Sequence, residues 1–253
     1  MFKTKFSFLL IFLFSFTLSA QKGEDNETRL QKGEDLNMLY RNERSISLFV
    51  HTAGGIGIGY RRGYHVTANR NRMFEVEVQN FKHPKEIKSI NAIRDNGKGF
   101  VYGKLNSFLL FRPGVGYQNV LYQKSDKKSV EIRCSYYIGA TINFAKPIYL
   151  LIKHLNDETP STERYDPEKD SLSNIYGKAD FFYGIEHTKI YPGGYAKFAL
   201  SFEYANRYNG IKAIETGVIA DIYPQVIPMM AYNKNQQVFV ELYLKLIWGK
   251  KWF

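Results

Sequence analysis

The sequence predicts an all-β fold: an antiparallel transmembrane β-barrel of about eight strands, preceded by a signal peptide. Two long segments of alternating polarity and an aromatic content of 16% predict it. Apolar residues at every second position over a dozen residues indicate a β-strand. Strands of soluble sandwiches are usually about half that long, whereas a strand that crosses a bilayer needs roughly 9–11 tilted residues.

The first alternating segment is 236–248, near the C-terminus, with Glu241 and Lys245 on its odd row. Its even row is apolar throughout: Val238, Val240, Leu242, Leu244, Leu246 and Trp248. An apolar outer row and a polar inner row are typical of a strand in a membrane-spanning barrel. For this strand alone, an edge strand of a large soluble sandwich remains the alternative.

The second alternating segment is 130–144, whose odd row is Glu131, Arg133, Ser135, Tyr137, Gly139, Thr141 and Asn143. Its even row is Val130, Ile132, Cys134, Tyr136, Ile138, Ala140, Ile142 and Phe144. Cys134 is the only cysteine, so an intrachain disulfide is excluded. A strand of this length favours a barrel over a sandwich.

The N-terminus has the features of a secretory signal peptide, which we assign to residues 1–20. Lys3 and Lys5 precede an apolar run, and Ser19-Ala20 offers a small-residue cleavage site. Residues 21–44 are polar, repeat the motif QKGED and predict a flexible leader, so the barrel is assigned to 45–253. No later run is long and apolar enough to predict a transmembrane helix.

The formal net charge of +11 predicts contact with anionic lipid head groups or lipopolysaccharide phosphates. Nucleic acid is excluded as a partner because the chain is exported. The eight predicted strands are 45–60, 73–81, 105–122, 130–144, 179–187, 195–204, 211–223 and 236–248. Strand length, aromatic content and the signal peptide together favour a membrane barrel over a soluble sandwich.

From residue 45 to residue 253, the chain resembles the small outer-membrane β-barrel proteins of diderm bacteria, the eight-stranded OmpA/OmpX-like type. The signal peptide, the strand phase and the aromatic C-terminus Trp252-Phe253 carry this resemblance. It implies Sec-type export, insertion into the outer membrane and lipid and lipopolysaccharide as neighbours.

A barrel of this size places the charged residues of the inner rows in a narrow lumen that side chains fill. The predicted interior charges are Glu75, Glu77, Glu131, Arg133, Asp180, Glu186, Lys197, Glu203, Glu215, Asp221, Glu241 and Lys245. Such charges must pair, because an unpaired buried charge costs several kcal/mol. The sequence therefore predicts a salt-bridge plug, with a narrow channel for protons or ions as the alternative.

Catalytic and metal-binding patterns are weak. The five histidines show no metal-ligand spacing, and no catalytic, metal or cofactor residues are predicted. Ser47 and His51 share one inward row, a pair that a hydrolase could use. Because some small outer-membrane barrels are lipid A acyltransferases or deacylases, a lipid A-modifying enzyme remains an alternative to a non-enzymatic barrel.

An even number of strands places both termini in the periplasm. Outward turns are then predicted at 61–72, 123–128, 188–194 and 224–235, and inward connectors at 82–104, 155–178 and 205–210. Long connectors without periodicity are often functional. We therefore expect a non-enzymatic accessory subunit of an envelope assembly. It would dock a periplasmic or outer-membrane protein through Asn96 and the loop Tyr165-Asp166-Pro167.

Overall fold

The computed structural model describes residues 41–67, 69–90, 99–124, 129–154, 159–204 and 209–253. The predicted signal peptide, nearly all of the leader and Asn96 lie outside these residues. The described strands are β1 (Asn42–His51), β2 (Ile56–Thr67), β3 (Arg70–Phe81), β4 (Lys88–Ser89), β5 (Phe100–Val101), β6 (Asn106–Tyr122), β7 (Glu131–Pro147), β8 (Tyr149–Ile152), β9 (Ser161–Arg164), β10 (Ile175–Lys178), β11 (Lys189–Glu203), β12 (Gly210–Ile222) and β13 (Val238–Trp252).

Eight of these strands close into an antiparallel barrel in the order β1-β13-β12-β11-β7-β6-β3-β2. Closure joins the first and last strands, from Asn42 opposite Trp252 to His51 opposite Tyr243. A closed barrel has no free strand edge, as a bilayer requires. The predicted fold class and strand number are therefore confirmed. Outside the barrel, β10-β8-β9 form a small sheet and β4-β5 a short ribbon.

The correct strand number hides two errors that cancel. Residues 45–60, predicted as one strand, fold as β1 and β2, which pair with each other. Residues 52–55 form the turn between them, and Gly54 has a φ of 73°, a left-handed conformation that suits glycine. Because this turn contains four residues, an even number, the alternation of apolar residues keeps its phase across it.

The second error is the strand predicted at 179–187, which is a series of turns. The amide of Tyr183 donates to the carbonyl of Asp180 (3.3 Å), and that of Ile185 donates to the carbonyl of Phe182 (3.4 Å). Gly184 has a φ of 80°. Alternating aromatic residues suggested a strand here, but local i to i+3 hydrogen bonds form instead.

These errors change which connectors share an end of the barrel. β2 is joined to β3, β6 to β7 and β11 to β12 at the end that carries both chain ends of the barrel. β1 is joined to β2, β3 to β6, β7 to β11 and β12 to β13 at the other end, here called the loop end. The prediction that the long connectors share an end with the termini is wrong. Missing the turn at 52–55 reversed the predicted end of each connector that follows it. The strand wrongly predicted at 179–187 reversed the prediction again, so the last connectors were placed correctly.

The barrel has the inverse polarity of a soluble protein. Its outer wall carries rows of apolar residues; Ile46, Ile138 and Leu242 are 62%, 67% and 56% exposed. Charged side chains are buried inside. This arrangement is that of a barrel that spans a membrane. Among the described residues, no helix is long and apolar enough to cross a membrane.

Candidate functional site

The most distinctive chemical feature of the molecule is its charged interior. Ten of the twelve predicted interior residues point into the lumen: Glu75, Glu77, Glu131, Arg133, Lys197, Glu203, Glu215, Asp221, Glu241 and Lys245. The structure contradicts the other two, Asp180 and Glu186, which are exposed. Both belong to the turns that were predicted as a strand, so no inner row holds them.

The middle of the lumen is organised around the guanidinium of Arg61. Its Nη1 and Nη2 donate to the two carboxylate oxygens of Glu215 at 2.5 and 2.6 Å, and its Nε donates to Glu75. The hydroxyl of Tyr243 donates to Glu215 at 2.8 Å. A planar guanidinium that meets a carboxylate through two parallel hydrogen bonds makes one of the stronger pairs in proteins.

Two lysines complete this middle layer. Lys197 contacts both Glu75 and Glu77, at 2.9 Å from the latter. Lys245 also contacts Glu77, and lies 3.5 Å from Glu75. Together with Arg61 and Glu215, the layer holds three cations and three carboxylates. Its formal charge is therefore zero, although all six side chains are buried.

A second layer lies towards the loop end. Arg112 pairs with Asp221, through Nε at 3.0 Å, and lies 3.5 Å from Glu241. Glu241 also accepts a hydrogen bond from Gln79 at 3.3 Å and lies 3.1 Å from Nδ1 of His51. Each carboxylate of this layer thus has a cationic or hydrogen-bonding partner.

A third layer lies towards the chain ends of the barrel, where Arg133 contacts three carboxylates. Its distances are 2.5 Å to Glu131, 3.3 Å to Glu43 and 2.7 Å to Glu203. Lys124 and Lys251 approach Glu203 at 3.1 and 2.9 Å. This layer also balances three cations against three carboxylates.

Sequence reasoning missed the two arginines that organise the lumen. Arg61 was placed in a predicted hairpin, but it continues the inward row of β2. Arg112 precedes Pro113 within the predicted strand 105–122, and it lies on the inward row with Phe108 and Leu110. Extending the alternation through both segments would have found them. Glu43 was missed because β1 begins within the predicted leader.

The loop-end mouth of the barrel is filled by apolar side chains. This mouth cluster comprises Ala53, Phe81, Phe108, Leu110, Ala145, Tyr191, Tyr223, Ile227, Met229 and Met230. The last four come from the connector 223–237, which folds inward. The Asn235 side chain fixes it, since its Oδ1 accepts hydrogen bonds from the amides of Met229 (2.8 Å) and Met230 (3.3 Å).

The structure does not bring Ser47 and His51 together as a catalytic pair. They are four residues apart on one strand, which separates them by about 13 Å at roughly 3.3 Å per residue. Both ring nitrogens of His51 have other neighbours: Nε2 contacts the carbonyl of Asn80 at 3.0 Å, and Nδ1 faces Glu241. A nucleophile and its base need direct hydrogen-bond contact. In the described residues, no group of three potential ligands could hold a metal ion.

The candidate docking residues lie in a folded cap at the loop end. Tyr165 is only 4% exposed, and burial raises its pKa to about 12. It belongs to a cap core with Phe100, Ile148, Leu150, Ile152 and Ile175. Asp166 and Pro167 are half-buried, while the neighbouring Glu168 is exposed. The Asp166 amide donates to the Asp170 carboxylate at 2.7 Å.

No protein-family model and no curated protein matches the chain. Three solved barrels show low structural similarity to it. Ail of Yersinia pestis, solved in complex with the heparin analogue sucrose octasulfate, has 8% identity and a TM-score of 0.40, covering 83% of this chain and 96% of its own. Neisserial surface protein A has 12% identity and a TM-score of 0.37, and the match covers 83% of this chain and 94% of that protein.

The N-terminal β-barrel domain of Pseudomonas aeruginosa OprF has 8% identity and a TM-score of 0.33, covering 81% of this chain and 96% of its own. The strands of the present chain close without a free edge, and an apolar outer wall surrounds a charged lumen, as a bilayer requires. On these grounds the chain is an eight-stranded, antiparallel β-barrel of the kind that spans a membrane.

Proposed function

We propose that this protein is a non-enzymatic structural barrel of the outer membrane that acts as an accessory subunit of an envelope assembly. The observation that carries the proposal is the pairing of the interior charges in three layers. A lumen arranged in this way serves as a polar core that holds the barrel together, and the protein acts through its surfaces.

Energetics supports a closed lumen. An eight-stranded barrel has only enough internal space for side chains. An ion that crossed it would have to displace buried partners, and each unpaired buried charge costs several kcal/mol. The mouth cluster adds an apolar obstruction at the loop end. A narrow channel is therefore the less favoured function.

The folded cap supports a partner-binding role. The long connectors have their own apolar core and the small sheet β10-β8-β9, so they present a shaped surface. Because this cap lies opposite the short turns, we place the docking surface on the external side of the membrane, around Asp166, Pro167 and Glu168. This proposal replaces a periplasmic partner with a partner at the outer face.

Planar-bilayer recording of the purified, refolded protein tests the closed lumen. The expected result is the absence of stepwise conductance for the wild-type protein. A double variant, Arg112→Ala with Met229→Ala, should become leaky because it removes both a paired cation and part of the mouth cluster. Stepwise conductance of the wild-type protein that persists when the salt concentration and the pH are changed would contradict the proposal.

Cysteine labelling tests the side of the docking surface. In a Cys134→Ser background, Glu168→Cys should react with a membrane-impermeant maleimide on intact cells. Protection until the cells are permeabilised would place the cap in the periplasm and remove an external docking surface. The same cysteine, carrying a photocrosslinker, should capture one defined envelope protein, and the matched site Lys212→Cys at the opposite end should not.

Lipid A mass spectra test the enzymatic alternative. Because neither ring nitrogen of His51 faces Ser47, deletion of the gene should leave the acylation pattern of lipid A unchanged. A missing or additional acyl chain, restored by the wild-type protein but not by His51→Ala, would show catalysis and overturn the non-enzymatic proposal.

A further inference from the structure

Three cations stand side by side on the outer wall, near the chain ends of the barrel. Arg44 of β1 lies directly opposite Lys250 of β13 on one side and Arg62 of β2 on the other. All three residues are exposed and belong to the outward rows. We refer to Lys250, Arg44 and Arg62 as the cation row.

Like charges that face each other directly across strands are destabilising. The nearby carboxylates Glu43, Glu131 and Glu203 do not offset this repulsion, because they point inward and pair with Arg133. None of these three carboxylates serves as a counter-ion for the cation row, which lies next to lipid, where screening by water is weak. It fits an anion supplied by the surroundings.

Aromatic side chains flank the row on its solvent side. The guanidinium of Arg44 lies 5.5 Å from the ring centre of Trp252, and that of Arg62 lies 5.3 Å from the ring centre of Tyr64. Such stacking orders an arginine while leaving its hydrogen-bond donors free. Aromatic rings at this height also mark the interface between lipid tails and head groups.

An apolar groove begins one row deeper in the membrane. Two residues further along the same three strands are Trp248, Ile46 and Tyr60, which line it. The groove has a volume of about 480 Å³. Its lining is Ile46, Ser47, Leu48, Ile58, Gly59, Tyr60, Val76, Val78 and Trp248. The cation row thus stands at the head of a groove that runs into the hydrocarbon region.

We propose that this surface binds one anionic glycerophospholipid of the periplasmic leaflet. Its phosphate lies on the cation row, and an acyl chain occupies the groove. Arginine is well suited to phosphate because its donors match the geometry of the oxygens. The short turns place this end of the barrel in the periplasmic leaflet, which favours a phospholipid over lipopolysaccharide.

Native mass spectrometry of the barrel extracted from nanodiscs tests the site. The nanodiscs contain phosphatidylcholine with a minor fraction of phosphatidylglycerol of equal chain length. Wild-type protein should retain phosphatidylglycerol preferentially. The double variant Arg44→Gln/Arg62→Gln should lose about 25-fold of this preference, or about fivefold for each cation removed. The control Lys178→Gln/Lys189→Gln, which removes two exposed cations at the loop end, should retain it.

A second measurement separates binding from folding. In zwitterionic detergent without anionic lipid, Arg44→Gln/Arg62→Gln should unfold at a higher temperature than the wild type, because repulsion is removed. Added phosphatidylglycerol should stabilise the wild type but not the variant. Val78→Trp, which fills the groove while keeping the cations, should also reduce lipid retention. Heat-dependent migration in SDS verifies that each variant is folded.

Three results would overturn the proposal. Equal retention of phosphatidylcholine and phosphatidylglycerol by the wild type would exclude recognition of the anion. An unchanged preference in Arg44→Gln/Arg62→Gln would place the anion elsewhere. Stronger retention of lipopolysaccharide than of phosphatidylglycerol in mixed nanodiscs would show a different occupant of the same surface. None of these measurements depends on whether the lumen conducts or the cap has a partner.

Discussion

The molecule has two cores of opposite chemistry. The lumen is built from paired charges, with Arg61, Glu75 and Glu215 at its centre. The cap core, in contrast, contains apolar side chains such as Ile152 and Ile175, both 0% exposed. Both belong to one chain, and both are buried. They differ in their surroundings, because lipid surrounds the barrel and water surrounds the cap.

Where lipid surrounds the barrel, apolar residues gain nothing by turning inward, so the outer rows are apolar and the inner rows carry the charges. Above the membrane, water surrounds the cap, and the usual order returns, with apolar residues inside. The barrel must therefore obtain its internal specificity from pairing, and the cap from packing. The following substitutions test this difference, beginning with the largest expected effect.

Arg61→Ala should cause the largest loss of stability, because it leaves Glu75 and Glu215 buried without their main partner. Removing one member of a buried pair costs about 3–5 kcal/mol. The measurement is urea unfolding in lipid vesicles, followed by tryptophan fluorescence. Arg164→Ala, at an exposed position of the cap, is the control and should change stability by less than about 0.5 kcal/mol. Equal effects would contradict the paired lumen.

Ile152→Ala tests the cap core. Removing this buried side chain should destabilise the cap by about 2–5 kcal/mol. The loss should appear as faster amide exchange and proteolysis between residues 148 and 188, with little change in the barrel strands. If the barrel unfolded together with the cap, the two cores would have to be treated as one cooperative unit.

Leu242→Arg tests the lipid-facing wall. An arginine near the middle of the bilayer should cost about 2–4 kcal/mol. The matched change Leu172→Arg, at a residue of the cap that is 53% exposed, should cost less than about 0.5 kcal/mol. Refolding yield into vesicles and urea midpoints supply the comparison. Similar costs at both positions would mean that both surfaces face water.

Asp170→Asn should produce the smallest effect, visible mainly as a changed pH dependence. Burial raises the pKa of the Asp170 carboxyl above its usual value. Its contribution to cap stability is therefore fully present below the pKa of the unfolded state and is lost as the pH rises through the folded-state pKa. Asparagine keeps an acceptor for the Asp166 amide but removes this dependence. Proteolysis of the cap between pH 3 and pH 7 should show a flatter profile, and an unchanged profile would assign the dependence to another group.

Alternating polarity allowed most of the wall to be predicted from the sequence, because a strand that separates lipid from lumen must alternate. The same signal identified Lys197, Glu215 and Lys245 as interior residues. It failed at 52–55, where an even-numbered turn preserved the phase, and at 179–187, where local turns imitated a strand.

The pairing within the lumen could not be predicted in the same way. Arg61 and Glu215 are 154 positions apart, and their contact depends on how the barrel closes. The end of the barrel at which the long connectors lie could not be predicted either, because a single missed turn reverses the prediction. The folding of the cap around Tyr165 depends on contacts between several connectors. The alternation of polarity along the sequence does not predict such contacts.

The central claim, a lipid-facing wall around a filled lumen, is tested most directly by two cysteine substitutions on β11 in a Cys134→Ser background. Ala196 lies on the outward row and Ala199 on the inward row, where it is 0% exposed. In the folded protein in vesicles, Ala196→Cys should react with a lipid-soluble maleimide but not with a water-soluble one, and Ala199→Cys should react with neither until the protein is unfolded. If Ala199→Cys reacted with the water-soluble maleimide in the folded state, the lumen would be filled with water. If Ala196→Cys reacted with the water-soluble maleimide, the outer wall would face water. Either result would contradict the lipid-facing wall around a filled lumen.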